Sequence, residues 1–349
     1  MKIEEIMIKA KEDGASDIHF VCGLPPKYRI DGQLQNIDAI PLSLEDCEAY
    51  AQELAQEEYK KIENIGELDL ARTIAGQRVR INLFRQQGSI SAAIRLLSSH
   101  IPKLEELGLP PVVHTFPTLR KGIVLVTGET GSGKSTTLAA ILNEINHTRK
   151  EHIITLEDPI EYIYESEQCI INQREIGTDT RTYADGLRAI LREDPDVVLI
   201  GEMRDQETIE IALTAAQTGH LVFATLHTNS APDSIDRIVG AFPAERQSQV
   251  RLELSTCLQA VVSQQLLPRK CGKGRAVACE IMIVNPAIRN LIREGKTPQM
   301  ASAMLSGASI GSLTMDNCLV KMVKDRIIDS KTAQEAAHDP EYMKKLARI

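Results

Sequence analysis

Gly128-Glu129-Thr130-Gly131-Ser132-Gly133-Lys134-Ser135 fits the pattern G-x-x-x-x-G-K-[ST]. Three glycines at this spacing let the backbone curl until its N–H groups converge on phosphate oxygens. A helix opening at Lys134 adds the positive potential of its N-terminus. The pattern assigns Lys134 to the β- and γ-phosphates of ATP and Ser135 to Mg²⁺. Gly128, Thr130, Gly131, Ser132, Gly133 and Thr136 complete the cradle.

Three further segments pair a strand-like run with polar residues at its end. Leu156-Glu157-Asp158-Pro159-Ile160-Glu161 offers paired carboxylates that could orient a water or hold the shell of a metal. In Asp194-Pro195-Asp196-Val197-Val198-Leu199-Ile200-Gly201-Glu202 a four-residue apolar strand delivers a carboxylate toward the Mg²⁺ side. Gly201 stands where many phosphate-loop proteins carry Asp, so Glu202 is expected to reach the metal through water. In Gly219-His220-Leu221-Val222-Phe223-Ala224-Thr225-Leu226-His227-Thr228-Asn229, two histidines bracket one apolar strand. His227, beside Thr228 and Asn229, is expected to sense the γ-phosphate. His220, at the other end, is a candidate whose alternative is a satisfied core histidine.

The elements that must hold these residues follow from periodicity. Gly122–Thr127, 152–156, 197–200 and 221–226 are apolar and β-branched, as strands buried on both faces are. Leu138, Ile141, Leu142 and Ile145 recur at helical spacing after the phosphate loop, and a helix is expected over 208–218. Alternating strand and helix predicts a mostly parallel α/β domain, whose strand carboxyl ends gather at one edge, where ligands bind. The first hundred residues read instead as a small α+β domain. Ile3, Ile6, Met7 and Ala10 share a helical face. Short strands and an Asp31-Gly32 turn follow. A helix over 43–63 is capped by Ser43, with Leu44, Cys47, Ala51 and Leu54 inward. Pro102, Pro110, Pro111 and Pro117 mark a linker or hinge. The expected domains are 1–99, a linker over 100–119, and 120–349, the last turning mainly helical after about residue 245.

Composition narrows the function. With 40 Lys and Arg against 48 Asp and Glu the net charge is −8, and aromatics are 3% with no Trp. Coating nucleic acid by bulk charge and stacking single-stranded bases are both disfavoured, so no nucleic-acid partner is expected. No apolar run approaches the ~20 residues of a spanning helix, and the N-terminus lacks a signal-peptide plan, so a cytoplasmic location is expected. Seven scattered Cys without a Cys-x-x-Cys pair predict free thiols and no zinc module.

The phosphate loop, Thr155-Leu156-Glu157-Asp158-Pro159-Ile160-Glu161-Tyr162, Gly201-Glu202-Met203-Arg204-Asp205 and Thr225-Leu226-His227-Thr228-Asn229, in this order, resemble the secretion ATPases of type II secretion and type IV pilus systems. In that family the four segments are called Walker A, the Asp box, Walker B and the His box. Ala15-Ser16-Asp17-Ile18-His19 matches as well, so the likeness covers nearly the whole chain. Three features favour the pilus-retraction branch: the single small domain ahead of the motor, the lack of a four-cysteine zinc insertion, and Ala287-Ile288-Arg289-Asn290-Leu291-Ile292-Arg293-Glu294-Gly295-Lys296. The last is similar to a C-terminal helix motif of retraction ATPases, and its Arg289, Asn290 and Arg293 are candidates to face a partner.

The resemblance implies a RecA-like P-loop motor domain preceded by a small α+β, PAS-like domain. It implies a homohexamer that hydrolyses ATP with Mg²⁺ at sites shared between subunits. Arg80 and Arg95, on strands of the first domain, would reach the neighbour's nucleotide, where an arginine finger contributes about 10³ to 10⁵ in rate. The implied partners are an inner-membrane pilus platform protein and a second retraction ATPase, at the inner-membrane face of the pilus machine. Glu161 and Glu202 share the metal-shell and water-activating work; analogy with RecA-like motors favours Glu161 as base, and the reverse split stays open. The alternatives are an assembly or secretion ATPase of the same family, a nucleic-acid motor on the same core, and a non-catalytic ATP-binding ring.

Overall fold

The computed structural model describes residues 1–30, 32–97, 100–341 and 343, with the side chains of 63 and 64 left aside. Asp31 of the expected turn, the expected boundary at residue 99 and residues 344–349 lie outside the described residues. The chain divides into two compact units. One is Met1–His100 together with Pro159–Ile163; the other is Ile101–Asp158 with Tyr164–Ile349.

The first unit runs α1 (Ile3–Glu12), β1 (Asp17–Phe20), β2 (Lys27–Ile30), β3 (Gln33–Asn36), α2 (Leu44–Ala55), α3 (Tyr59–Ile65), β4 (Glu67–Ile74), β5 (Gln77–Gln86) and β6 (Ser89–Leu96). Its six strands form one antiparallel sheet in the order β3-β2-β1-β6-β5-β4. Ile3, Ile6, Met7 and Ala10 of α1 share a core with alternate residues Val79, Ile81 and Leu83 of β5. The helix expected over 43–63 is broken at Gln56, whose φ is +52°. Arg72 causes the break: its Nη2 donates to the Ala55 carbonyl (2.8 Å) and its Nη1 to Gln56 Oε1 (2.9 Å), giving the last carbonyls a tertiary partner in place of a further turn. Leu44, expected inside, is 59% exposed, because it opens α2 off the face that carries Cys47, Ala51 and Leu54.

The second unit runs β7 (Gly122–Thr127), α4 (Lys134–Thr148), β8 (His152–Glu157), β9 (Ile170–Glu175), α5 (Tyr183–Ile190), β10 (Val197–Ile200), α6 (Gln206–Gln217), β11 (Leu221–Leu226), α7 (Ala231–Gly240), α8 (Ala244–Cys257), β12 (Leu258–Pro268), β13 (Arg275–Ile283), α9 (Pro286–Glu294), α10 (Met300–Ser306), α11 (Met315–Lys324) and α12 (Ser330–Ala336). The sheet order is β13-β12-β7-β11-β10-β8-β9, parallel throughout except for the β12–β13 pair. Every residue of β7, β10 and β11 is buried, which explains their unbroken apolar sequence.

The region after residue 245 is mainly helical, in α8 to α12, as expected, but it also holds β12 and β13, of 11 and 9 residues, the longest strand pair of this sheet, which the sequence does not announce. Both are buried along most of their length, so neither shows the alternation that announces a strand. In the proline-rich stretch, Leu104–Leu107 and Pro111–Thr118 form 3-10 turns, and Val113 and Phe116 pack into the core that holds Leu138, Ile141 and Ile145 of α4. No helix among the described residues is long and apolar enough to cross a membrane.

Candidate functional site

The strand order β7-β11-β10-β8 sets four carboxyl ends side by side: those leading to the phosphate loop, His227, Glu202 and Glu157. A parallel sheet delivers these ends to one edge, so motifs far apart in sequence meet there.

The loop's geometry is dictated by crowding at its base. Gly128 has φ +137°, and a Cβ there would lie 2.3 Å from the Gln264 carbonyl oxygen and 2.7 Å from Ser132 Oγ. Only glycine fits. Ser263, on the neighbouring β12, shares a 2.8 Å hydroxyl bond with Thr127 at the end of β7, and Gln264 Nε2 donates to Thr137 Oγ1 of α4 at 2.9 Å. Lys134 Nζ donates to the carbonyls of Gly128 (2.7 Å) and Glu129 (2.8 Å), so the ammonium lies over the loop. Gly131 (φ +81°) and Gly133 (φ +91°) turn the chain into α4, whose N-terminus carries no side-chain cap. Ser132 Oγ is buried with no hydrogen-bond partner. An uncapped helix start, a crowded glycine and an orphaned buried hydroxyl fit an anionic phosphate chain. Thr130 and Ser135 are exposed, and Thr136 is half-buried. Among the described residues no group of three His, Cys, Asp or Glu could cage a metal. Ser135, at the start of α4, is the side chain here that could hold Mg²⁺ together with phosphate oxygens.

Glu202 anchors the second half of the site. Gly201 takes the Leu156 carbonyl on its N–H at 2.7 Å, and its own carbonyl accepts from Thr225 Oγ1, which ties the Glu202 turn to β8 and β11. A Cβ on Gly201 would meet Tyr183 Oη at 2.9 Å. Glu202 Oε2 lies 2.7 Å from Arg204 Nη2, and Oε1 lies 3.3 Å from His227 Nε2. Burial pushes the Glu202 carboxyl up, but the Arg204 hydrogen bond and the charges of His227 and Arg204 outweigh it and hold the group below its ordinary range. Burial raises the Tyr183 phenol, and the charges of Asp158 and Glu202 raise it further, so it stays a neutral donor. Glu157 Oε1 accepts from Thr155 Oγ1 (2.6 Å) and Gln173 Nε2 (3.3 Å). The cluster presents an ionised carboxylate, an imidazole and a guanidinium at the edge that also carries the phosphate loop.

The remaining candidates fall elsewhere. His220 sits at the opposite end of β11, its Nδ1 2.8 Å from the Ala215 carbonyl, where it closes the end of α6. Glu161 lies in Pro159–Ile163, which groups with the first unit and where the Ile160 carbonyl accepts from Arg78 Nε at 3.3 Å. Arg80 and Arg95 are in the first unit, paired with Asp69 (3.2 Å) and Asp17 (3.0 Å). Arg289 does not face outward as expected: its Nη1 donates to the carbonyls of Ser255 (2.6 Å) and Thr256 (2.9 Å), capping α8. Asn290 and Arg293 are exposed. Sequence reasoning missed Tyr183, Ser263, Gln264 and the role of Arg204. Only Arg204, two residues from Glu202, carried a signal in its position.

A family model described as type II/IV secretion system protein matches residues 1–341. The chain is 48% identical over 343 residues to the type IV pilus retraction ATPase PilT of Pseudomonas aeruginosa, covering 98% of this chain and 99% of that protein. It is 44% identical over 321 residues to the twitching motility protein of Neisseria gonorrhoeae, covering 91% and 86%. A crystal structure of the pilus retraction motor PilT with bound ADP superposes with a TM-score of 0.92 at 48% identity, covering 99% of each chain.

Proposed function

The chain belongs to the type II/IV secretion system protein family, and from that premise we propose that it is the ATP-driven motor that retracts type IV pili. It is an ATPase with a RecA-like motor behind a smaller N-terminal domain. Its near-full-length likeness to a retraction ATPase carries this reading, together with the Glu202, His227 and Arg204 cluster on the edge that bears the phosphate loop. The domains are residues 1–99, a connection over 100–119 and a motor over 120–349.

The loop amides of 128–133 and Lys134 hold the β- and γ-phosphates, and Thr136 flanks them. Ser135, with Glu202 through water, would hold Mg²⁺, which when bound would supply charge neutralisation at the phosphate oxygens. Glu202 stays ionised, so it can orient or deprotonate the attacking water; Glu161 is the alternative base. His227, bonded to Glu202, registers whether the γ-phosphate is present. Arg80 and Arg95 act across a hexamer interface, which requires each to leave its carboxylate partner. Closure and release around the ring act on a platform protein at the inner membrane's cytoplasmic face, with a second retraction ATPase as a further partner.

Glu202→Ala tests the assignment. The variant retains nucleotide binding while turnover falls by about two orders of magnitude or more, and a strain carrying it shows excess pili that fail to shorten. Undiminished hydrolysis, or loss of pili altogether, would overturn the reading, the latter in favour of an assembly motor.

A further inference from the structure

Glu280 is 4% exposed, on β13, with no place in the phosphate or Walker B machinery. Its carboxylate spans two helix starts. Oε1 accepts the N–H of Ala231, the first residue of α7, at 2.8 Å. Oε2 accepts the N–H of Met315, the first residue of α11, at 3.3 Å. Burial pushes the Glu280 carboxyl above its ordinary range, and the two helix starts, each carrying about half a positive charge, offset part of that cost through the Ala231 and Met315 N–H groups. The titratable side chains that face it are His338, whose Nδ1 is 3.7 Å from Oε2, and Asp316. Asp316 itself accepts the N–H groups of His338 (2.8 Å) and Asp339 (3.2 Å).

The α7 end of this clamp leads back to the chemistry. Ser230 caps α7 by accepting from the Asp233 N–H at 3.1 Å. Ser234 Oγ donates to the Ser230 carbonyl at 2.7 Å. The single Ser234 proton is thereby used, so in the 2.7 Å pair with Thr228 it is Thr228 Oγ1 that donates. Thr228 follows His227, which stands 3.3 Å from Glu202. Hydrogen bonds, joined by the Ser230–Ala231 peptide and the Thr228–His227 backbone step, thus connect the start of α11, through Glu280, to the loop that aims His227 at Glu202.

We propose that Glu280 is a positioning residue for ATP hydrolysis: it fixes the first turn of α7, and with it the His227 loop, and makes that setting depend on where the C-terminal helix α11 stands. The inference rests on the reading of Glu202 and His227 given above. Glutamine is close in size but has one acceptor oxygen. In Glu280→Gln one helix start must face an amide N–H₂, a donor against a donor.

The test uses the full chain. Hydrogen–deuterium exchange is read by mass spectrometry over residues 228–234 and 315–319, and steady-state turnover is measured alongside. Glu280→Gln is expected to speed exchange in both segments at least fivefold and to leave the 128–136 segment unchanged. It is expected to lower kcat about tenfold, with KM for ATP within twofold, as a misplaced group acting only in turnover would. Faster exchange confined to 315–319 would overturn the proposal, as would an unchanged kcat, because Glu280 would then merely hold α11. If Glu280→Gln melts below the assay temperature, Thr228→Val cuts the same path at a half-buried site. It must then lower kcat at constant KM, and an unchanged kcat overturns the proposal. The exchange arm needs no turnover, so a failure of the ATPase assignment is separable from a failure of the clamp.

Discussion

Replacing Gly128 by alanine puts a methyl group where the fold has no room. The new Cβ would sit 2.3 Å from the Gln264 carbonyl oxygen, a backbone atom of a buried strand that cannot swing aside. Ordinary contact needs roughly 1 Å more, and overpacking of that size costs about 1–3 kcal/mol. The φ of +137° adds strain of about 1–3 kcal/mol for any L residue. β7 is paired on both sides, by β11 and β12, so the cheaper response is for the loop to leave its shape while the sheet stays. Nucleotide affinity should then fall by roughly 30-fold to 10⁴-fold, at ~1.4 kcal/mol per decade. Gly131→Ala is the control. Its φ is also positive, at +81°, but nothing lies within 4 Å of its Cβ, so only the strain of about 1–2 kcal/mol applies, or roughly 5- to 30-fold. Fluorescent-ADP titration with a thermal melt reads both variants. Gly128→Ala binding within threefold of wild type, or Gly131→Ala weakening binding more than Gly128→Ala, would refute the crowding argument.

Arg204→Ala should raise the Glu202 pKa from its depressed value toward the ordinary 4.5. The carboxylate's contribution is present above that pKa and lost as pH falls through it. The acid limb of log kcat against pH therefore moves to higher pH, and a limb that stays put or moves lower contradicts the pairing. Lys134→Ala and Arg95→Ala subunits, each weak alone, should recover activity when mixed, since a site shared between chains takes each group from a different subunit; mixtures no better than the separate proteins would exclude Arg95 in trans. Arg289→Ala removes two hydrogen bonds from the end of α8. It should cost about 1–2 kcal/mol and lower Tm by roughly 2–6 °C while ATP turnover at 25 °C is kept. A melt unchanged within error would return Arg289 to the role of a free partner contact.

The motor's centre was legible because its strands are buried on both faces and end in polar residues, a pattern that survives without any tertiary knowledge. Gly128 to Ser135, Glu202 and His227 could be placed on one edge from the βα alternation alone. What stayed hidden depends on neighbours. β12 and β13 have no alternation to display, and so Ser263, Gln264 and Glu280, which brace the phosphate loop and two helix starts, looked like ordinary polar residues. The stop at Gln56 comes from Arg72, sixteen residues away. Arg289 looked like an outward cation because a helical wheel shows its direction but not the carbonyls waiting at the end of α8.

The excursion of Pro159–Ile163 into the smaller unit means the backbone passes between the units three times, after His100, after Asp158 and after Ile163. The N-terminal part is therefore not a bead that can be cut from a string. A fragment beginning at residue 101 would still contain this short detour, stripped of the Arg78 side chain that its Ile160 carbonyl engages. Truncation would thus injure the segment that follows Glu157 and Asp158, and an inactive fragment would say nothing about whether the missing hundred residues take part in turnover.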